Sequence, residues 1–319
     1  MNIASQTIHL NYAKRKQLTG KGVGVALFDT GIGYHPDLIE PYHNRLVAFY
    51  DTISGKSKYY DDNGHGTHTA GILAGSGIAS NGLYRGVAPG CHFVSIKILN
   101  QRGEGSINQI LEGIEWLLKH YNEYNIRLVN ISVGSSRGKK FSEDSPLVTA
   151  VNSLWKAGMT VFTAAGNHGP DSYTIGAPGN SRKIITVGSS DISFPPQAKD
   201  FSGRGPTEYC IKKPDVVAPG TDIVSCYPMI PNILTGAYIP LPGMRNNLIL
   251  PLSAPYSKRT GTSMSTPMIC GMAALLLEKY PLMTNKEIKM RLRNRALSLG
   301  YPHSRQGWGL IQCDRLLME

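Results

Sequence analysis

The stretch GVGVALFDTGI, residues 22–32, decides how the rest of the chain is read. Its apolar residues, Val23 to Phe28, run without polar alternation into an aspartate and a Thr-Gly turn. A short continuous apolar run is the mark of a strand covered on both faces, and such strands belong to parallel sheets. Four further runs share this character: Phe93–Leu99, Leu128–Val133, Thr160–Ala165 and Ile184–Gly188. Helical patterns lie between them. Ser106 and Gln109 form a capping-box pair ahead of Ile110, Leu111, Ile114, Leu117 and Leu118, which share one face. Pro146 to Lys156 reads as a helix stopped by Gly158. Met264 to Tyr280 is apolar almost all round, which predicts a buried central helix, and Thr284 with Glu287 opens another. Strands alternating with helices predict an α/β fold, a single three-layer doubly wound domain around a mainly parallel central sheet. Residues 228–257 break the rhythm: rich in Pro and Leu and without a period, they read as an insertion near the site with a short hairpin of its own.

Composition narrows the function classes. Of 319 residues, 41% are hydrophobic and 17% charged, which is a globular chain rather than a disordered one. No apolar run approaches the roughly 20 residues of a membrane helix. Lys and Arg number 33 against 22 acids, a net charge of +11, which raises the question of acidic partners. The excess sits at the ends: residues 1–24 hold four basic and no acidic groups, and 280–319 hold seven and three. The series Lys286, Lys289, Arg291, Arg293 and Arg295 reads as a solvated helical face, so neither nucleic acid nor a membrane is expected as partner. The five cysteines are odd in number and lack a CxxC pair, as expected of free thiols in a reducing compartment. With no signal-peptide core in the first residues, the expectation is a cytoplasmic protein, a processed secreted form being the alternative.

Three motifs stand at strand or helix ends, where such a fold places its crevice. They are Phe28-Asp29-Thr30-Gly31-Ile32, Asn63-Gly64-His65-Gly66-Thr67-His68-Thr69-Ala70-Gly71 and Gly261-Thr262-Ser263-Met264-Ser265-Thr266-Pro267. Singly, each stays open. Asp29 suits a ribose ligand, a metal ligand or a catalytic orienter; His65 and His68 are spaced as a metal pair; Ser263 could be a cap. Together, in this order and at these separations, they resemble the subtilisin family of serine proteases, the subtilases. The resemblance runs from about Gly20 to Leu310 and includes His35-Pro36-Asp37-Leu38, Gly86-Val87-Ala88-Pro89, Ile131-Ser132-Val133-Gly134, Ala164-Ala165-Gly166-Asn167 and Val217-Ala218-Pro219-Gly220. Within the family it is most similar to the intracellular bacterial branch.

What the resemblance implies is specific. Ser263 would be the nucleophile of a serine endopeptidase, His65 its base and Asp29 the group that fixes the imidazole. Asn167 would join the Ser263 N–H in binding the oxyanion. Ser132, Val133 and Gly134 would pair with a protein or peptide substrate as an added strand. Ala164, Gly166 and Gly176 would line the pocket before the scissile bond, their small size leaving room for a large apolar side chain. Ser265 and Met268 depart from the family's usual Ala and His. The chemistry needs no cofactor. Asp37 matches a family calcium ligand, although the Gly75–Tyr84 loop does not reproduce the partner ligands; Asp61 and Asp62 read as solvated loop acids rather than calcium ligands. The chain divides into a leader, 1–19, and a peptidase domain, 20–319, and residues Met1 to His9 are expected to lie near the active site as a removable blocker. The rival readings are a catalytically silent relative and a nucleic-acid or membrane-surface binder.

Overall fold

In the computed structural model, which describes residues 1–39, 45–133, 145–190, 200–231, 238–240 and 255–319, a seven-stranded parallel sheet forms the middle layer. Its strands are β1 (Gly24–Asp29), β2 (Leu46–Asp51), β3 (His92–Lys97), β4 (Ile126–Ile131), β5 (Thr160–Ala164), β6 (Ile185–Ser189) and β7 (Val216–Ala218), in the spatial order β2-β3-β1-β4-β5-β6-β7. The five strands anticipated from apolar runs are all present, each with ends shifted by two residues or fewer. β1 is buried along its whole length between β3 and β4, and there the strand order reverses. A crevice at the carboxyl ends of the flanking strands follows from that reversal. Asp29 ends β1, and Ser132 follows β4.

Helices cover the sheet. α1 (Asn2–Thr7) and α2 (Leu10–Arg15) precede it, followed in chain order by α3 (His65–Ala74), α4 (Ile107–His120), α5 (Pro146–Lys156), α6 (Thr262–Lys279), α7 (Asn285–Arg295), α8 (His303–Gln306) and α9 (Cys313–Leu317). Both predicted capping boxes are closed, Ser106 with Gln109 and Thr284 with Glu287. α6 is the buried central helix: its residues Met264 to Leu277 are all inaccessible, and it packs on β4 to β7 and on α3. Beyond the main sheet, β8 (Ile223–Cys226) pairs antiparallel with β11 (Tyr256–Arg259), and β9 (Met229–Pro231) with β10 (Tyr238–Pro240). The last pair is the short hairpin expected within 228–257; residues 232–237 and 241–254 lie outside the described set.

Two expectations change. The basic series on α7 is not simply a solvated face. Lys289 Nζ donates to the carbonyls of Arg182, Lys183 and Ile184, Arg291 to Leu316 O, and Arg295 to Glu319 O. Part of the positive excess therefore ties the C-terminal region to the body. The first residues are also structural: Ile8, Leu10 and Ala13 are core residues, Cys313 N–H donates to Ile8 O, and Gln312 Nε2 donates to Thr7 O. α2 packs on α9, and the long-range hydrogen bonds of Met1 to His9, the expected blocker, go to Val224, Gln312, Cys313 and Asp314 rather than to Asp29, His65 or Ser263. Ile8→Ala empties a fully buried position and should cost about 2–5 kcal/mol in denaturant unfolding, an effect that a detachable blocker would not show.

Candidate active site

Asp29 is 2% exposed at the end of β1 and accepts at both carboxylate oxygens. Oδ1 takes the Thr30 N–H and His65 Nδ1, each at 2.7 Å; Oδ2 takes the Thr69 hydroxyl at 3.1 Å. Bonding to a carboxylate makes Nδ1 the protonated nitrogen of a neutral imidazole, which leaves Nε2 as the acceptor. His65 opens α3, a helix whose first N–H groups have no intrahelical partner. Side chains supply them all. Asn63 Oδ1 accepts from His65 N, Thr30 Oγ1 from Gly66 N, and Asp61 Oδ2 from Thr67 N.

Asp61 is the hub of this arrangement. It is buried and accepts five hydrogen bonds: from Thr30 Oγ1, Asn63 N and Gly64 N at one oxygen, and from Thr67 N and Oγ1 at the other. The solvated loop acid expected from sequence is therefore a fully committed one. Below it, Lys97 is completely buried beside Asp29 in the strand register; its ammonium is held by Thr30 O at 2.6 Å, Asp62 Oδ1 at 2.7 Å and Leu99 O at 2.9 Å. His68, one turn after His65, faces the other way. Its Nε2 lies 3.0 and 3.1 Å from the carbonyls of Ile223 and Ser257, and burial holds its pKa well below 6.5. It fastens α3 to the β8–β11 ribbon and is not available as half of a metal pair.

Ser263 sits on the first turn of α6, so its N–H lacks an intrahelical acceptor. Its hydroxyl donates to Ser132 O at 2.8 Å. Asn167 faces the same turn: Oδ1 accepts from Thr262 N at 2.9 Å and Thr262 Oγ1 at 3.1 Å. Fixing the oxygen in this way turns the amide NH2 outward as a donor. A cavity of about 590 Å³ is lined by His65, Ser132 and Val133 together with Thr30, Leu99 and Arg259. Ala164 closes β5, and Gly166 (φ +87°) and Gly176 lie on the loops beyond it. Gly134 lies outside the described residues. Sequence reading singled out Asp29, His65, Ser263 and Asn167 and did not single out Thr30, Asn63, Thr67, Thr69 and Arg259, which surround them.

The family resemblance attached calcium to Asp37, and the surroundings of that residue do not fit it. The side chain is fully buried: Oδ1 accepts from Ala79 N at 2.9 Å, and Oδ2 from Tyr256 OH at 2.7 Å and Cys226 Sγ at 3.8 Å. The His, Cys and acidic side chains grouped with it among the described residues are His35 and Cys226, which offer a nitrogen and a sulfur, whereas calcium takes six to eight oxygens. Both His35 nitrogens are engaged, Nδ1 by Asp37 N–H and Nε2 by Pro255 O. The carboxylate is satisfied by protein donors.

The subtilase family model matches residues 20–309. Serine protease AprX of Bacillus subtilis (strain 168) is 42% identical over 306 residues, which are 92% of this chain and 66% of AprX, so this chain spans just under two thirds of that relative. Subtilisin Savinase of Lederbergia lenta is 32% identical over 95% of this chain and 93% of its own length. Among solved structures, a cold-adapted subtilisin-like serine proteinase superposes with a TM-score of 0.67 at 26% identity, covering 93% of this chain and 90% of that one.

Two unfolding measurements test the scaffold. Tyr256→Phe leaves the buried Asp37 one donor short and should cost about 1–3 kcal/mol in unfolding free energy. His68 is neutral when folded and titrates near 6.5 when unfolded, so the unfolded chain takes up the proton first. Stability should therefore fall below pH 6.5, by up to about 1.4 kcal/mol per pH unit, as read from denaturant curves.

Proposed function

Because the chain belongs to the subtilase family and is a serine endopeptidase, we propose that it hydrolyses peptide bonds through an acyl-enzyme on Ser263, with His65 as proton carrier and Asp29 as its anchor. The observation that carries this assignment is the 2.7 Å Asp29–His65 bond at the wall of the cavity that also contains Ser132, the partner of the Ser263 hydroxyl.

In the resting arrangement the Ser263 proton is given to Ser132 O. A substrate lying as an extended strand along Ser132 and Val133 offers its own N–H to that carbonyl and releases the hydroxyl toward His65 Nε2. Ser263 Oγ then attacks the scissile carbonyl while His65 takes the proton, and the imidazolium formed is stabilised by Asp29. The oxyanion meets the Asn167 NH2 and the Ser263 N–H, and the positive end of α6 adds to the same field. His65 next protonates the leaving amine, and water completes the cycle by the reverse route. Ala164, Gly166 and Gly176 leave room for a large apolar residue on the acyl side. We read 20–319 as one peptidase domain, with residues 1–19 packed on it. The cytoplasmic reading rests on five unpaired thiols, four of them buried, a usage that suits a reducing compartment.

A fluorophosphonate probe should label the wild-type chain and not Ser263→Ala; labelling that survives this substitution overturns the assignment. Asn167→Ala should retain labelling and lose about 10²–10³ in turnover of a peptide substrate, a magnitude known from removing such a donor in subtilisin rather than derived from this geometry.

A further inference from the structure

We propose that Lys97 is a positioning residue for the proton carrier: with Asp62 it sets the electric field in which His65 takes up its proton. The inference rests on the triad assignment above and adds a pair of residues to it. Lys97 closes β3, lies beside Asp29 in the parallel register and is 0% exposed. A lysine ammonium has three hydrogens to give. Its partners here are Thr30 O, Asp62 Oδ1 and Leu99 O, at 2.6, 2.7 and 2.9 Å. Two carbonyls and a carboxylate can only accept, so Nζ keeps all three hydrogens and its full charge. It also lies over the Tyr60 ring, 4.7 Å from the centroid, a second favourable setting for a cation.

The route from this charge to His65 is short. Thr30, whose carbonyl the ammonium holds, gives its own N–H to Asp29 Oδ1, the oxygen that also takes His65 Nδ1. Thr30 and Leu99, both bonded by Lys97, line the same cavity as His65. Asp62 follows Asp61, which accepts the N–H groups that open α3. His65 is also faced by Asp29, bonded to its ring, by Asp61 in the turn before it, and by Arg259 of β11 and Glu104, which share its cavity; on its own helix stands neutral His68. The Lys97–Asp62 pair is split by depth, the cation fully buried and the side chain of Asp62 38% exposed. Solvent screens the outer charge more than the inner one. Removing either charge leaves the other uncompensated, and the two removals act on the imidazolium with opposite sign. A lone cation opposes protonation of His65, whereas a lone carboxylate favours it.

The test is the acid limb of kcat/KM against pH, which reports the base of the free enzyme. It is measured on the whole chain with a blocked peptide that has no ionisable side chain. Asp62→Asn, a change of nearly the same shape at a partly exposed position, should move the limb down by about half a pH unit. Lys97→Met should move it up by a similar amount, and the double variant should return it close to the wild-type position. Loss of packing alone would lower kcat/KM in every variant and leave the limb where it was. A limb that stays within about 0.1 pH unit in Asp62→Asn, or that moves up, overturns the proposal. This variant decides the matter even if Lys97→Met does not fold, and a Lys97→Met limb that moves down overturns it equally. Fluorophosphonate labelling keeps the two assignments apart. Labelling that survives in Ser263→Ala defeats the triad assignment, whereas an unmoved limb in an Asp62→Asn chain that still labels defeats only this one.

Discussion

The carboxylate of Asp61 is the constraint on which the geometry of the site depends. Two chain segments must meet within hydrogen-bond reach: the end of β1, which holds Asp29, and the start of α3, which holds His65. Neither element fixes the other by itself. Asp61 takes one hydroxyl from the residue after Asp29 and the N–H groups of the turn that opens α3, so a single buried group holds both segments. The approach is as close as backbone permits, since a Cβ on Gly66 would lie 2.0 Å from Gly31 O. Only glycine lets the helix start that near the strand end. Such a network is expensive when incomplete, because each buried donor left without an acceptor costs about 1–3 kcal/mol. Its completeness is what makes it rigid.

The same economy operates at Asp37. Where the family resemblance suggested a cation, the chain supplies a tyrosine hydroxyl, a backbone N–H and a thiol. A neutral set of donors holds a buried carboxylate in place without an ion to be captured from solution. Tyr256 belongs to β11, which also carries Arg259 and leads into the nucleophile helix. The donors around Asp37 and the wall of the cleft are therefore parts of one ribbon.

Much of this was legible in the sequence, for identifiable reasons. β1, β3, β4, β5 and β6 are buried on both faces, and burial on both faces leaves an uninterrupted apolar run. β2, at the sheet edge, is partly exposed and ends in Tyr50 and Asp51, so the signal was blurred. β8 and β11 are four residues each and pair across a long excursion, a length too short for any period to register. Asp29, His65, Ser263 and Asn167 could be picked out because the chemistry proposed for them demands fixed residue types at fixed places. Asp61 was not, because an acid in a polar loop looks the same whether water or a helix N-terminus satisfies it. Arg259 was hidden for a related reason: its contact with Asn63 O joins positions 196 apart, which no local pattern records. The sequence reading separates the leader from the domain because the family motifs begin after it, whereas packing joins Met1, Ala4, Ile8, Leu10 and Ala13 to the common core.

That packing fixes an order of events during synthesis. The bond from Cys313 N–H to Ile8 O joins positions 305 apart, and Gln312 reaches Thr7 over the same span. A ribosome delivers the N-terminal side first, so α2 waits for its partner until Cys313–Leu317 has emerged. The sheet is built of parallel strands, whose long crossovers make it slow to close. A nascent chain therefore has Asp29, His65 and Ser263 translated before the contact between residues 8 and 313 can form.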